Sequence, residues 1–564
     1  MADITNSFVK ANNTWTQSIA WAKVDGTWRQ CFSAIKANGE WQPPTSDVGL
    51  IVFPNPDPIS NSYKSTNYQV FVHDGAQLQE THVYSSTRLA WVSYAIDNPP
   101  FASGSRPIMS DLTFSLSAPT IAKVKKINTT ITSLDIGPYR QNINSQITLD
   151  GDGGAIFPVT PGDKLWLVIN NEVSSPLFIF ADYHFPSYNQ VTATYPTYNH
   201  ILYATGVYDI SAGPDTDAGW PNRRKLNSNT VVYVSGGAYV RGHFNISGCN
   251  DLKFMGQGCI SMEQYDWWAI DIVNRTSAEI QHYACFYSTN TSTPNNYLDA
   301  RVSGVEISGL TVKSFPWYFN NGVFQSIDNT KLISPWNFST DGPRIGNFHF
   351  PQVGAKMTNA FVYNSDDVIF PAIGQAYGNF VVSNCYLNSV GGAIMVNYFP
   401  NYTNPSYSAT IHKIDSRCYT PQDLGIEGVI RLMTDYTLTA FPDEPNTNYR
   451  GPINIQVSSM NIENSIEAPL FKLGNFEYLY GGGPPFGKLL GMTSGLEFID
   501  ISAFGGAIVS SNIVSGFNST NKVTNVTFRN VNINNIKILD SNYNDFFDVT
   551  GATNKITDNI NFLS

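Results

Sequence analysis

Val523-Thr524-Asn525-Val526-Thr527-Phe528-Arg529-Asn530-Val531-Asn532-Ile533 carries the pattern that decides the fold. Apolar residues stand two apart within short runs, as on one face of a strand. The runs end in asparagine, whose amide bonds backbone groups and whose backbone tolerates a left-handed corner. Gly304-Val305-Glu306-Ile307-Ser308-Gly309-Leu310-Thr311-Val312 and Asn379-Phe380-Val381-Val382-Ser383-Asn384-Cys385-Tyr386-Leu387 repeat the texture, with no strong amphipathic helix between them. Such a unit leaves its strand edges and apolar interior open until the next unit covers them, which predicts a parallel β-helix. A second β-sandwich is the alternative and would show antiparallel hairpin turns instead.

Working outward, residues 196–564 read as the β-helix. Residues 46–195 hold short runs rich in Val, Ile, Thr and aromatics, such as Gln69-Val70-Phe71-Val72-His73 and Lys164-Leu165-Trp166-Leu167-Val168-Ile169, with turn clusters such as Gly151-Asp152-Gly153-Gly154. That spacing predicts an antiparallel β-sandwich. Residues 1–45 contain a repeat: lysines at 10, 23 and 36 and tryptophans at 15, 28 and 41 give a period of 13 residues. Asp25-Gly26 and Asn38-Gly39 lie between short alternating flanks, the strongest local hairpin signal. Three such hairpins bury little on their own, so this module is expected to pack on a neighbour, another subunit or a larger particle. The fold class is therefore all-β throughout.

The chain has 564 residues, and charged side chains make up 14% of it, against about 25% in an ordinary soluble chain. A formal net charge of −11 disfavours nucleic acid and anionic membranes, both of which call for a basic surface. No apolar run approaches the ~18 residues of a membrane span. Met1-Ala2-Asp3-Ile4-Thr5-Asn6 has neither the basic nor the apolar region of a secretory signal, so no signal peptide is expected. Six cysteines without a CxxC pair indicate neither a zinc knuckle nor a redox motif. Aromatics at 13%, many beside Asn, Ser, Thr and Gly, suit strands and sugar-facing surfaces.

Against this low-charge background stand Asp341, in Ser339-Thr340-Asp341-Gly342, and the doublet Asp366-Asp367. The separation of 25 or 26 residues is about one coil, and adjacent coils lie ~4.8 Å apart. Crowded carboxyls cannot all ionise cheaply, so one holds a proton while another stays charged. That division supplies a general acid for a glycosidic oxygen and a base for water. Inverting hydrolysis predicts acid and base ~6.5–9.5 Å apart. Neighbours on an ideal strand point to opposite faces, so a bulge or bend is expected to bring Asp366 and Asp367 onto one surface. Asx turns, corner ladders or a calcium site are the alternatives for the three acids.

Val231-Val232-Tyr233-Val234-Ser235-Gly236-Gly237-Ala238-Tyr239-Val240-Arg241-Gly242, followed by Gly256-Gln257-Gly258-Cys259-Ile260-Ser261-Met262-Glu263-Gln264-Tyr265, resembles the corresponding stretch of the glycoside hydrolase family 49 enzymes, the dextranases and isopullulanases. Thr132-Ser133-Leu134-Asp135-Ile136 and Pro176-Leu177-Phe178-Ile179-Phe180-Ala181 are similar to that family's N-terminal sandwich. The likeness spans roughly 47 to 400 and implies a β-sandwich leading into a right-handed parallel β-helix. Thr340-Asp341-Gly342 and Asp366-Asp367 match the family's inverting site in order and approximate spacing. The resemblance thus implies Asp366 as proton donor, with Asp341 and Asp367 holding and activating the water. Two departures stand out: Val368-Ile369-Phe370-Pro371-Ala372 lacks the family's lysine after the doublet, and Met262 replaces a glycine.

Aromatic faces bury the apolar side of a pyranose, so Tyr265, Trp267, Trp336 and Tyr398 are candidate substrate-binding residues. Trp317 and Tyr318 belong with them, and His349 is a candidate for orienting a carboxylate. Together these features predict an endo-acting, inverting polysaccharide depolymerase that needs neither cofactor nor metal. The hairpin module resembles those of phage virion proteins, which implies a tailspike or tail fibre docked to virion tail proteins through residues 1–45. It would act outside the cell at the host surface, and the likeness to β-helix spikes implies a homotrimer. A non-catalytic adhesin on the same scaffold and a polysaccharide lyase are the rival readings.

Overall fold

The computed structural model describes residues 49–86, 109–210, 222–265, 283–288, 302–316, 318–320, 324–335, 340–345, 354–371, 379–389, 395–397, 401–402, 408–417, 429–433, 449–450, 453–463, 469–474, 493–504, 512–515, 522–548 and 557–564, together with six short strands between 9 and 42.

Those six strands form three antiparallel hairpins. The closing pairs Ala11↔Thr14, Val24↔Thr27 and Ala37↔Glu40 each leave two residues for the loop. The registers also place each repeated lysine opposite its tryptophan, as Lys10↔Trp15, Lys23↔Trp28 and Lys36↔Trp41.

Beyond the hairpins, the described residues fall into two compact units that meet in sequence at Phe185–Pro186. In the first, a six-stranded and a five-stranded sheet form a β-sandwich. Alternate residues of its strands, among them Val70, Val72, Leu112, Phe114, Leu116, Leu165, Leu167, Ile169, Leu177 and Ile179, share one core. The pairing is antiparallel as expected, with one exception. Met109–Leu116 runs parallel to Leu177–Tyr183, a pairing between strands distant in sequence that no hairpin signal could indicate.

The second unit begins with the helix Tyr188–Thr194, capped by a reciprocal Ser187–Gln190 capping box. A sheet of twenty strands follows, in which nearly all neighbours run parallel, and this is the solenoid of a parallel β-helix. Parallel crossovers take the right-handed sense. One apolar ladder runs its length: Ile201, Val232, Phe254, Ile307, Ile327, Met357, Val382, Ile411, Val457, Phe498, Phe528 and Phe562 stand in successive register. Each fully buried member of such a ladder contributes about 1.5–3 kcal/mol. Among the described residues no helix is long and apolar enough to cross a membrane.

Each coil turns at a left-handed corner. Asn329, Asn359, Asn384, Lys413, Ser459, Asp500 and Asn530 follow one another there with φ between 46° and 55°. Asparagine suits the backbone, and its amide reaches the coil before it: Asn384 Nδ2 donates to Asn359 Oδ1 at 2.8 Å, and Asn530 Nδ2 donates to Asp500 Oδ1 at 2.6 Å. Lys413 breaks the series, since a long side chain gains nothing from the left-handed region and cannot accept from an amide. Lys413→Asn is expected to stabilise the solenoid by about 0.5–1 kcal/mol, read as a higher denaturation midpoint.

Candidate active site

The strand Lys331–Ser334 ends one coil, and Phe361–Asn364 ends the next, with Ser334 opposite Asn364. Beyond these ends the chain forms a second short parallel pair, Arg344–Ile345 with Phe370–Pro371. Arg344 pairs Phe370, a step of 26 residues, so counting back three positions puts Asp341 opposite Asp367. The Gly342 amide confirms the register by donating to the Asp367 carbonyl at 2.8 Å. One coil earlier, Tyr318 bridges Asp341 in the same parallel sense.

Asp366 lies in the bend Ser365–Asp366 rather than in a strand. The alternation that would send adjacent side chains to opposite faces therefore does not apply to the doublet. Instead one carboxylate oxygen from each of Asp341, Asp366 and Asp367 lies within 4.8 Å of the other two. Asp341 and Asp367 are 8% and 4% exposed, whereas Asp366 is half-buried. The Asp367 amide donates to Asp366 Oδ1 at 2.9 Å. This bond fixes one side of the Asp366 carboxylate.

Gly342 is required by this packing. A Cβ there would stand 1.9 Å from the Val368 carbonyl oxygen and 2.8 Å from its carbon. Both are backbone atoms, which cannot swing aside.

Three carboxylates this close can share protons unevenly or bridge a cation, and the chemistry of the oxygens alone suits either. One oxygen of each carboxylate within 4.8 Å of the others places all three groups against one small volume.

Of the candidate substrate-binding residues, Trp267, Trp336, His349 and Tyr398 lie outside the described residues, as does Trp317. Tyr265 is described. Its hydroxyl is 3.3 Å from His243 Nε2, and its ring meets those of His243 and Tyr283 nearly edge-on. Burial pushes its phenol pKa up to about 12, so it is a neutral, packed ring. His243 opens the strand His243–Asn245, which pairs with Phe286–Tyr287; single bridges then lead through Asn320 and Tyr318 to Asp341. Along the chain Tyr265 follows the strand Cys259–Ser261 and thus belongs two coils, or roughly 10 Å, before Asp341.

No family model matches the chain, and no curated protein matches it. Solved structures do. Dex49A from Penicillium minioluteum aligns over 90% of this chain and 96% of its own, with a TM-score of 0.65 and 17% identity. The fold of this chain is similar to that of Dex49A. A family 28 exopolygalacturonase from Yersinia enterocolitica aligns over 93% of this chain and 98% of its own, but at a TM-score of 0.34 and 12% identity, and no argument rests on it.

The three acids that meet here stand out in the sequence, but the residues that hold them do not. Thr340, Asn364, Ser365 and Ser389 bond to the backbone of the acid-bearing segments or to one another. Their signal was weak, since small polar residues beside an aspartate are common in any turn.

Proposed function

We propose that this protein is a glycoside hydrolase that cleaves within a polysaccharide chain. The observation that carries the reading is the meeting of Asp341, Asp366 and Asp367 within 4.8 Å, at the coil step that the family 49 resemblance implies. Asp366, the most accessible of the three, protonates the glycosidic oxygen. Asp341 and Asp367, opposite each other on adjacent coils, hold the attacking water and accept its proton. With that water on one face of the sugar and the departing oxygen on the other, the anomeric centre inverts.

Direct attack on the sugar by one of the buried pair, with configuration retained, is the outcome that would overturn this order of events. NMR of the newly formed reducing ends decides between them: the first products carry the opposite anomer for inversion and the same anomer for retention.

The founding experiment is a screen of capsular polysaccharides, exopolysaccharides and α-glucans, followed by chain length and reducing-end analysis. The expected result is a fast fall in chain length with one new reducing end per cut. A glycan that is bound but never shortened would make the protein an adhesin. Products absorbing near 230–240 nm, the signature of an eliminated uronic acid in general lyase chemistry, would make it a lyase. Hydrolysis is expected to survive EDTA, because the proposed steps need only protons and water. Loss in EDTA with recovery in calcium would move the three acids to the cation reading.

The hairpins at 9–42 are proposed to attach the enzyme to a virion tail, as a tailspike or tail fibre acting on glycans at the host surface, with three copies to the assembly. Deleting residues 1–45 is then expected to abolish incorporation into particles while leaving glycan cleavage intact.

A further inference from the structure

The three acids are brought together across a step between coils that the Gly342 N–H to Asp367 C=O bond spans. Side chains add further ties. Thr340 Oγ1 and Ser365 Oγ lie 2.8 Å apart. Each also accepts from the other's backbone: the Ser365 amide donates to Thr340 Oγ1 at 3.0 Å, and the Thr340 amide donates to Ser365 Oγ at 3.2 Å. This reciprocal clasp joins the residue before Asp341 to the residue before Asp366. Thr340 Oγ1 further donates to the Ser334 carbonyl at 2.7 Å, closing the bend on its own coil.

A second tie lies directly beneath. The Asn364 amide nitrogen donates both to the Thr340 carbonyl at 2.8 Å and to the Asp367 carbonyl at 2.9 Å. Asn364 and Thr340 are completely buried, where bonds are not exchanged for water and a lost partner is costly. Towards the next coil, Ser389 Oγ donates to the Asp366 carbonyl at 2.7 Å.

We infer that Thr340, Asn364 and Ser365 are positioning residues whose clasp across the two coils sets the spacing of the three carboxylates. The inference deepens the hydrolase reading by naming what holds its site, yet the spacing itself can be tested without any reaction. None of the three need touch substrate. Their effect passes through the placement of Asp341, Asp366 and Asp367, and a misplacement near 1 Å lowers such a reaction by roughly a hundredfold.

The test compares Thr340→Val, which keeps the shape and removes the hydroxyl, with Thr340→Ser, which keeps the hydroxyl, and with Ser365→Ala. Crystal structures give the carboxylate spacing, and kinetics on the cleaved glycan give kcat and KM separately. Thr340→Val is expected to spread the oxygens beyond 4.8 Å and to lower kcat about 10- to 100-fold with KM within about twofold. Thr340→Ser is expected to restore both. If Thr340→Val does not fold, Ser365→Ala takes its place, because it leaves the Thr340–Ser334 and Ser365 N–H bonds in place. Unchanged spacing in whichever variant folds would overturn the inference, as would a Thr340→Ser variant as impaired as Thr340→Val. A parent protein that cleaves no glycan would sink the hydrolase reading alone, and the crystallographic spacing would still decide the clasp.

Discussion

Asp366→Asn is expected to lower turnover of the cleaved glycan about 10²- to 10⁴-fold, the usual contribution of a positioned general acid, while glycan binding stays within about twofold. The substitution is nearly isosteric, and the amide oxygen can still accept the Asp367 N–H bond that now reaches Asp366 Oδ1. The bend therefore keeps its geometry and the groove its shape. What disappears is the transferable proton: an amide cannot protonate a departing glycosidic oxygen. A substrate whose leaving group needs no proton, such as an activated aryl glycoside of the same sugar, is expected to lose far less. Equal losses on both substrates would place Asp366 outside the acid role, and an unchanged rate on the natural glycan would remove the acid trio from the chemistry altogether.

Gly342→Ala is expected to be the most damaging change near the site that alters no polar group. The added methyl would stand 1.9 Å from the Val368 carbonyl oxygen, far inside van der Waals contact. The two coils must move apart, and the Gly342–Asp367 backbone bond stretches with them. Overpacking of this kind costs about 1–3 kcal/mol, and the same displacement separates Asp341 from its partners, so activity is expected to fall by at least about a hundredfold. Gly151→Ala is the control, since its Cβ would meet nothing within 4 Å; it should change neither stability nor rate. A Gly342→Ala protein with parental activity would show that Asp341 and Asp367 need not be held one coil step apart.

The candidate acids were legible because the sequence is poor in charge, so an aspartate and an aspartate doublet one coil apart stand out. The corner asparagines were legible for a related reason: Asn359, Asn384 and Asn530 adopt the left-handed backbone that their own chemistry favours. Met109–Leu116 shows the limit, for its parallel neighbour Leu177–Tyr183 is chosen by the packing of the whole sandwich. Tyr265 shows another. Its ring meets those of His243 and Tyr283 nearly edge-on, and which rings it meets depends on residues separated from it along the chain.

By itself, then, the amino-acid order determined the two-residue hairpin loops, the alternating strands, the left-handed corners and the coil step between Asp341 and Asp367, since each follows from interactions within a few residues or from a simple repeat. Only the tertiary structure decided that Asp366 turns to join them. Alternation along a strand would have sent it to the other face, and the bend that redirects it is held by Thr340, 25 residues away across the coil boundary. Bonds of that reach form once the coils have stacked.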